Sequence, residues 1–244
     1  MKTSGSGPSC PTTTTTPNST TSAAEPIRAA PGRRCSLCPR LRAFLDAQSV
    51  LEPEWFNSPV PSFGAPAARL VVVGLAPGLR GANRTGRPFT GDFAGEVLYR
   101  TLRRHGFAKG TYAADPEDGF ELVDCRIANA VRCVPPANRP TPAEIATCRR
   151  FLVDEVGGTA GPRAILALGR IAHDSTLRAL GLPLRAYPFG HGAWYPLPSG
   201  QLLAASFHTS RYNINTGRLT AAMFDAVVAR LAAEIRPEPI PLKA

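Results

Sequence analysis

Leu70-Val71-Val72-Val73, closed by Gly74, is an unbroken apolar run with no polar residue to turn toward solvent. A half-exposed strand alternates apolar and polar residues. A continuous run of this length is the pattern of a strand buried on both faces, as in a parallel sheet. Working outward, a Gly-rich loop runs from Leu75 to Gly91, and residues 92–105 show helical spacing through Val97, Leu98 and Leu102. Residues 125–132, 164–168 and 202–205 are three more strand candidates. Thr141-Pro142-Ala143-Glu144 is a capping box with proline at the first helical position, and it predicts a helix carrying Ile145, Cys148 and Leu152 on one face. Leu219, Met223, Val227 and Leu231 predict a closing amphipathic helix over 219–235. Arg40 to Leu51 has a helical rhythm as well. Strands alternating with helices imply an α/β fold, with a parallel sheet covered on both faces.

Residues 1–30 are mostly Ser, Thr, Pro, Gly and Ala, including the run Thr12 to Thr16. Such a segment buries too little apolar surface to offset its ordering entropy, so it is expected to be a disordered tail before a domain at 31–240. Net charge is +10, and arginine far outnumbers lysine. That balance favours phosphate-bearing partners, nucleic acid above all. No stretch has the length and apolarity of a membrane span, and no apolar leader is seen, so the expectation is a cytoplasmic protein.

In parallel sheets ligands bind outside the carboxyl ends of the strands. Three unusual segments lie there: the loop after Gly74, the segment around Asn129, and Ser206-Phe207-His208-Thr209-Ser210-Arg211. The loop after Gly74 suits phosphate cradling by backbone N–H groups, but it lacks both the P-loop ending and the dinucleotide-binding glycine spacing. Asp92 reads equally as a helix N-cap and as a carboxylate aimed into a site. Phe89 reads as a core anchor or as an exposed aromatic that stacks on a base. His208 has polar neighbours that favour function, whereas His173 and His105 read as surface residues and His191 carries no assignment. Among the six cysteines, Cys35 and Cys38 form a CxxC, Cys133 follows an apolar run and Cys148 lies on the next helix. Four thiolates can hold zinc or a cubane cluster, and spacing leaves the two open. Cys10 and Cys125 read as ordinary residues.

At these residues a resemblance enters. GLAPGLRGANRTGRPFTGD, residues 74–92, resembles the first motif of family 5 uracil-DNA glycosylases. ANAVRCVPPANRPTPAEIATC, residues 128–148, is similar to the segment holding two cluster cysteines in families 4 and 5. SFHTSRYNINTGRLT, residues 206–220, resembles their second catalytic motif. Leu75 stands where family 4 has a glutamate, which points to family 5, and the basic motif of the covalently DNA-trapping relative is absent after Gly86. The resemblance implies a three-layer α/β/α fold with a central four-stranded parallel sheet. It implies a structural [4Fe-4S] cluster on Cys35, Cys38, Cys133 and Cys148, and uracil-containing DNA as substrate. The base would be flipped out of the stack. Ala76, Phe89, Asn129 and His208 would contact it, with Asp92, Asn129 and His208 as the catalytic set. Phe89 would stack, Asn129 would read the amide edge, His208 would donate to a uracil oxygen, and Asp92 would orient water or stabilise the cationic sugar. Asn138 is a second polar candidate. Arg211, Tyr212, Asn213 and Arg218 would hold the flanking DNA, with Tyr212 as a wedge.

A monofunctional enzyme acting as a monomer is expected, since the three site segments contain no lysine for a Schiff base. Two rival readings remain: a non-catalytic zinc-binding nucleic-acid module, and a metal-stabilised hydrolase or transferase acting on free nucleotides.

Overall fold

The computed structural model describes residues 30–157 and 161–236, together with Met1. The expected disordered tail, Cys10 and the last residues of the expected domain lie outside the described residues. Five strands form the main sheet: Leu70–Gly74, Cys125–Asn129, Ala164–Leu168, Trp194–Pro196 and Leu202–Ser206. From one edge to the other their order is Cys125–Asn129, Leu70–Gly74, Ala164–Leu168, Leu202–Ser206, Trp194–Pro196. The four strands read from sequence are mutually parallel, as expected. The fifth, Trp194–Pro196, runs antiparallel at the edge beside Leu202–Ser206. It has three residues and ends in proline, which an edge strand tolerates because one side needs no ladder donors.

The strand faces show why the apolar runs are unbroken. Leu70 and Val72 point into one core, with the helices Phe93–Arg104 and Ala221–Ile235. Val71 and Val73 point into the other, with Arg150–Val156 and Arg170–Ala179. Successive side chains leave a strand on opposite faces, so a strand packed on both needs no polar residue. Each fully buried valine or leucine contributes about 1.5–3 kcal/mol relative to exposure. A third cluster, with Leu41, Leu45, Val134 and Phe151, gathers the helix Pro39–Leu51 against the segment after Val131.

The capping box forms as predicted: Glu144 N–H donates to Thr141 Oγ1 at 3.3 Å, and Thr141 N–H donates to Glu144 Oε2 at 2.7 Å. The helix it opens, Pro142–Cys148, is interrupted at Arg149 and resumes over Arg150–Val156. Glu144 also accepts two bonds from the Arg40 guanidinium, at 2.8 and 2.7 Å. That pair ties the first helix to the Pro142–Cys148 helix, and the Arg40 contact holds the Glu144 carboxyl below its usual range.

Two histidines correct the surface reading. His173 is fully buried on the sheet-facing side of Arg170–Ala179, edge-on to Phe189 with ring centroids 5.5 Å apart. Burial lowers its pKa, so it packs as a neutral ring. His105 caps the helix Phe93–Arg104 and sits 3.1 Å from Asp225 on the closing helix. No helix among the described residues is long and apolar enough to cross a membrane.

Candidate active site

The strand register brings the three unusual segments together. Gly74 pairs with Asn129, and Leu168 with Ser206, so the loops that follow leave the same edge of the sheet. They enclose a cavity of about 590 Å³ lined by Ala76, Phe89, Asp92, Asn129, Asn138, His208 and Arg211, among others.

Each side chain has a local reason for its place. Asn129 ends its strand, is 3 % exposed, and its Oδ1 has no hydrogen-bond partner among the described residues. A buried orphan acceptor costs about 1–3 kcal/mol unless a ligand satisfies it. Gly74 makes room for it: a Cβ there would stand 2.3 Å from Asn129 Oδ1 and 2.7 Å from the Phe89 ring. Phe89 resolves its two readings in combination. It is 6 % exposed and belongs to a core cluster, yet its ring also lines the cavity. It is therefore not the exposed aromatic considered from sequence. Its ring lies 5.8 Å from that of His208, at 27°.

Asp92 stands where helix and cavity meet. It caps the helix Phe93–Arg104 by accepting from Gly95 N–H at 2.9 Å, and the residue lines the cavity. The second oxygen packs on glycine backbone, since a Cβ at Gly81 would stand 2.8 Å from Oδ2. Burial lowers the His208 pKa, opposed by the charge of Asp92, so the ring is biased toward its neutral form. A neutral imidazole keeps one N–H to donate.

The outer residues divide. Arg211 lines the cavity and lies over the Phe93 ring at 5.2 Å. Tyr212 beside it is 71 % exposed. Asn213 turns inward, its Nδ2 donating to the His208 carbonyl at 2.8 Å, so its side chain braces the histidine loop. Arg218 does not line the main cavity; it lies over Phe207 at 4.5 Å, in an adjoining cavity that shares His208.

On the far side of the loop after Gly74, Cys35, Cys38, Cys133 and Cys148 line one small cavity. Burial raises the Cys133 thiol to about 12 and the Cys148 thiol to about 11, and raises Cys38 too. Against this, Arg132 N–H donates to Cys148 Sγ at 3.3 Å. Ala76 and Leu79 pack on this cluster while lining the active cavity, so one loop is shared by both. Cys125 is buried within its strand, as an ordinary residue.

The profile of the Uracil DNA glycosylase superfamily matches residues 61–232. A type-5 uracil-DNA glycosylase of Thermus thermophilus is 47 % identical over 198 residues, covering 78 % of this chain and 89 % of the relative. The chain belongs to the type-5 uracil-DNA glycosylase family. A type-5 relative from Mycobacterium leprae is 42 % identical over 202 residues, covering 79 % and 88 % of the two chains. A type-4 uracil-DNA glycosylase of Thermotoga maritima is 35 % identical over 141 residues, covering 57 % and 59 %. The fuller coverage by the type-5 relatives agrees with leucine rather than glutamate at position 75.

Within this type-5 site, sequence reasoning missed the supports. His191 stacks on Phe207 with centroids 5.4 Å apart, and its Nδ1 accepts from Phe207 N–H at 3.4 Å. Beneath Phe89 lies a buried network. Arg87 pairs with Asp118 through two bonds of 2.8 Å, the side chains being 5 % and 2 % exposed, and its Nε donates to Thr90 Oγ1 at 2.8 Å. Tyr112 accepts from Gly91 N–H at 3.1 Å and donates to the Phe89 carbonyl at 3.3 Å. This network holds Phe89 at φ 53°, a left-handed conformation that a phenylalanine rarely adopts. No local sequence signal pairs Arg87 with Asp118, which are 31 residues apart.

Proposed function

We propose that this protein excises uracil from DNA by hydrolysing the N-glycosidic bond and leaves an abasic site. The observation that carries this reading is the buried, unpartnered Asn129 Oδ1 at the floor of a cavity walled by Phe89 and His208. A base must leave the stack to bring its bond to C1′ within reach of a protein group. The Phe89 ring then offers a stacking face. Asn129 Oδ1 accepts the ring N–H of uracil and its amide N–H₂ donates to the neighbouring carbonyl. Cytosine presents the reverse pattern there and leaves the buried amide unpaired. Neutral His208 donates to a uracil oxygen as negative charge builds on the leaving base, an effect worth most in a site that excludes water. The Asp92 carboxylate, held in place by its capping bond, faces the sugar side to orient water or stabilise positive charge. Tyr212 stands exposed at the rim to fill the gap left in the duplex, and Arg211 and Arg218 hold adjacent phosphates.

The cysteine cavity suits a [4Fe-4S] cluster on Cys35, Cys38, Cys133 and Cys148. Among the described residues, no three His, Cys, Asp or Glu side chains are already gathered as a metal site. The four cysteines are instead spaced around a cavity. Four thiolates around one cavity are the ligand set that a cubane takes. The cluster would supply structure, since this hydrolysis moves no net electrons. Its ligands would fasten the helix Pro39–Leu51 and the Cys133–Cys148 segment beneath Ala76 and Leu79.

The test is incubation with a uracil-containing duplex, alkaline cleavage of abasic sites, and borohydride trapping in parallel. Alkali-dependent strand breaks without a trapped adduct are expected. Absence of breaks would overturn the reading in favour of a binding module. A trapped covalent adduct would overturn its monofunctional part.

A further inference from the structure

A second cavity, of about 650 Å³, lies away from the active site and is lined by Arg33, Arg34, Arg42, Asp46, Trp55 and Phe56, among others. Three guanidinium groups face one carboxylate there. Asp46 is paired with Arg42, whereas Arg33 and Arg34 make no ion pair among the described residues. Arg33 lies over the Phe56 ring at 4.8 Å. Arg42 donates to the Arg33 carbonyl at 3.3 Å, and its Nε is buried with no partner among the described residues. Trp55 is half-buried and lines the groove.

The groove is built onto the active-site loop. Phe56 N–H donates to the Arg84 carbonyl at 3.0 Å, and Asn57 N–H donates to the Asn83 carbonyl at 3.1 Å. The Asn83 amide donates to Asn57 Oδ1 at 2.8 Å. Asn83 and Arg84 belong to the single turn Ala82–Thr85, and Ala82 lines the active cavity. The turn Ala82–Thr85 therefore borders both sites. Exposed Arg84 stands on that turn, and exposed Arg80 precedes it.

We propose that this groove is a second DNA-binding subsite, which takes the strand outside the flipped nucleotide. Arg33 and Arg34 meet its phosphates, braced from below by Arg42, and Trp55 offers a stacking face for an unstacked base. Guanidinium groups interleaved with aromatic rings are the chemistry that holds single-stranded nucleic acid without reading its sequence. The inference rests on the DNA-excising reading for the identity of the strand, and its test does not depend on excision.

The experiment measures binding of uracil-free, single-stranded DNA oligonucleotides of about 4 to 16 nucleotides, the span of typical single-strand sites, at several salt concentrations. Wild-type affinity should climb once the strand is long enough to reach the groove. The Arg33→Gln/Arg34→Gln double variant should lose that climb, and its salt slope should fall by about two phosphate contacts, roughly 0.7 each on a single strand. Trp55→Ala, on a different segment from the cysteine loop, should lose about 5-fold or more in affinity on long oligonucleotides alone. Excision from the shortest uracil-containing oligonucleotide should be unchanged in both variants. Wild-type length dependence and salt slope in both would overturn the proposal. If the length dependence behaves as stated but no uracil is excised, the functional reading fails and the groove stands.

Discussion

Asp118→Asn tests whether the network beneath Phe89 builds the base-stacking wall. Asp118 accepts four bonds: two from Arg87, one from Ala113 N–H at 2.9 Å and one from Phe120 N–H at 2.9 Å. Asparagine removes the charge and turns one acceptor into a donor that faces other donors. Arg87 is then left buried and uncompensated, which costs about 3–5 kcal/mol. For a domain of this size, about 2–4 °C is lost per kcal/mol, so a fall in Tm of about 6–20 °C is expected. Arg87 holds the Asp118 carboxyl well below the usual carboxylate range. A carboxyl depressed by folding adds stability that is complete above its unfolded value, about 3.9, and is lost as pH falls through the folded value. The gap in Tm between wild type and variant should therefore be full at neutral pH and narrow in strong acid. Because Thr90 and Phe89 hang on Arg87, binding of the flipped base should weaken, raising KM more than it lowers kcat. The assays are thermal denaturation against pH and steady-state excision at a temperature where both proteins are folded. A Tm within about 2 °C of wild type at neutral pH, or an unchanged KM, would refute the reasoning.

His208→Ala should slow single-turnover excision by about 10²–10³ while barely changing duplex affinity, because its bond strengthens only as charge develops on the base. Burial lowers the His208 pKa, so the acid limb of the wild-type rate should lie below the ordinary histidine value of about 6.5; a limb at or above it would contradict the neutral-donor role. Gly74→Ala should empty the site of function without a local charge change, since its methyl would displace Asn129 and Phe89; wild-type uracil excision by a folded Gly74→Ala protein would defeat the proposed pocket. Cys148→Ser should bleach a broad visible absorption and lower iron content, whereas Cys125→Ser should leave both intact; stoichiometric zinc in a colourless protein purified without air would defeat the cluster.

The parallel sheet was legible because burial on both faces leaves an unmistakable composition: Leu70 to Val73 and Ala164 to Leu168 contain no polar residue. The caps were legible for a similar reason, as Thr141 and Glu144 satisfy each other's backbone within four residues. Trp194–Pro196 was not legible, because three residues at an edge have no period to display. His173 was misread since a polar residue on a helix looks exposed until the helix is placed against the sheet. Phe89 reads from sequence as either core or site, and the structure puts it at the border of the two, buried in a core cluster while lining the cavity. The loops carrying Asp92, Asn129 and His208 follow strands whose register the apolar runs imply, so their convergence could be expected. Their supports, Asp118 for Arg87 and His191 for Phe207, are long-range partners that no local pattern announces.

The cysteine cavity joins residues at opposite ends of a long stretch of chain, and this sets an order of events during synthesis. Cys148 follows Cys35 by 113 positions. At about 5–20 residues per second, roughly 6 to 23 s pass between the emergence of the two. Throughout that interval the helix Pro39–Leu51 lacks part of its docking surface, because Cys148 and Phe151 are not yet made. The nascent chain thus carries Cys35 and Cys38 as unprotected thiols while the first strand and the loop with Phe89 are already outside the ribosome. The helix Pro39–Leu51 is the first of the described elements to be synthesised and among the last able to settle, so oxidants that meet the growing chain strike the part on which the finished pocket loop will rest.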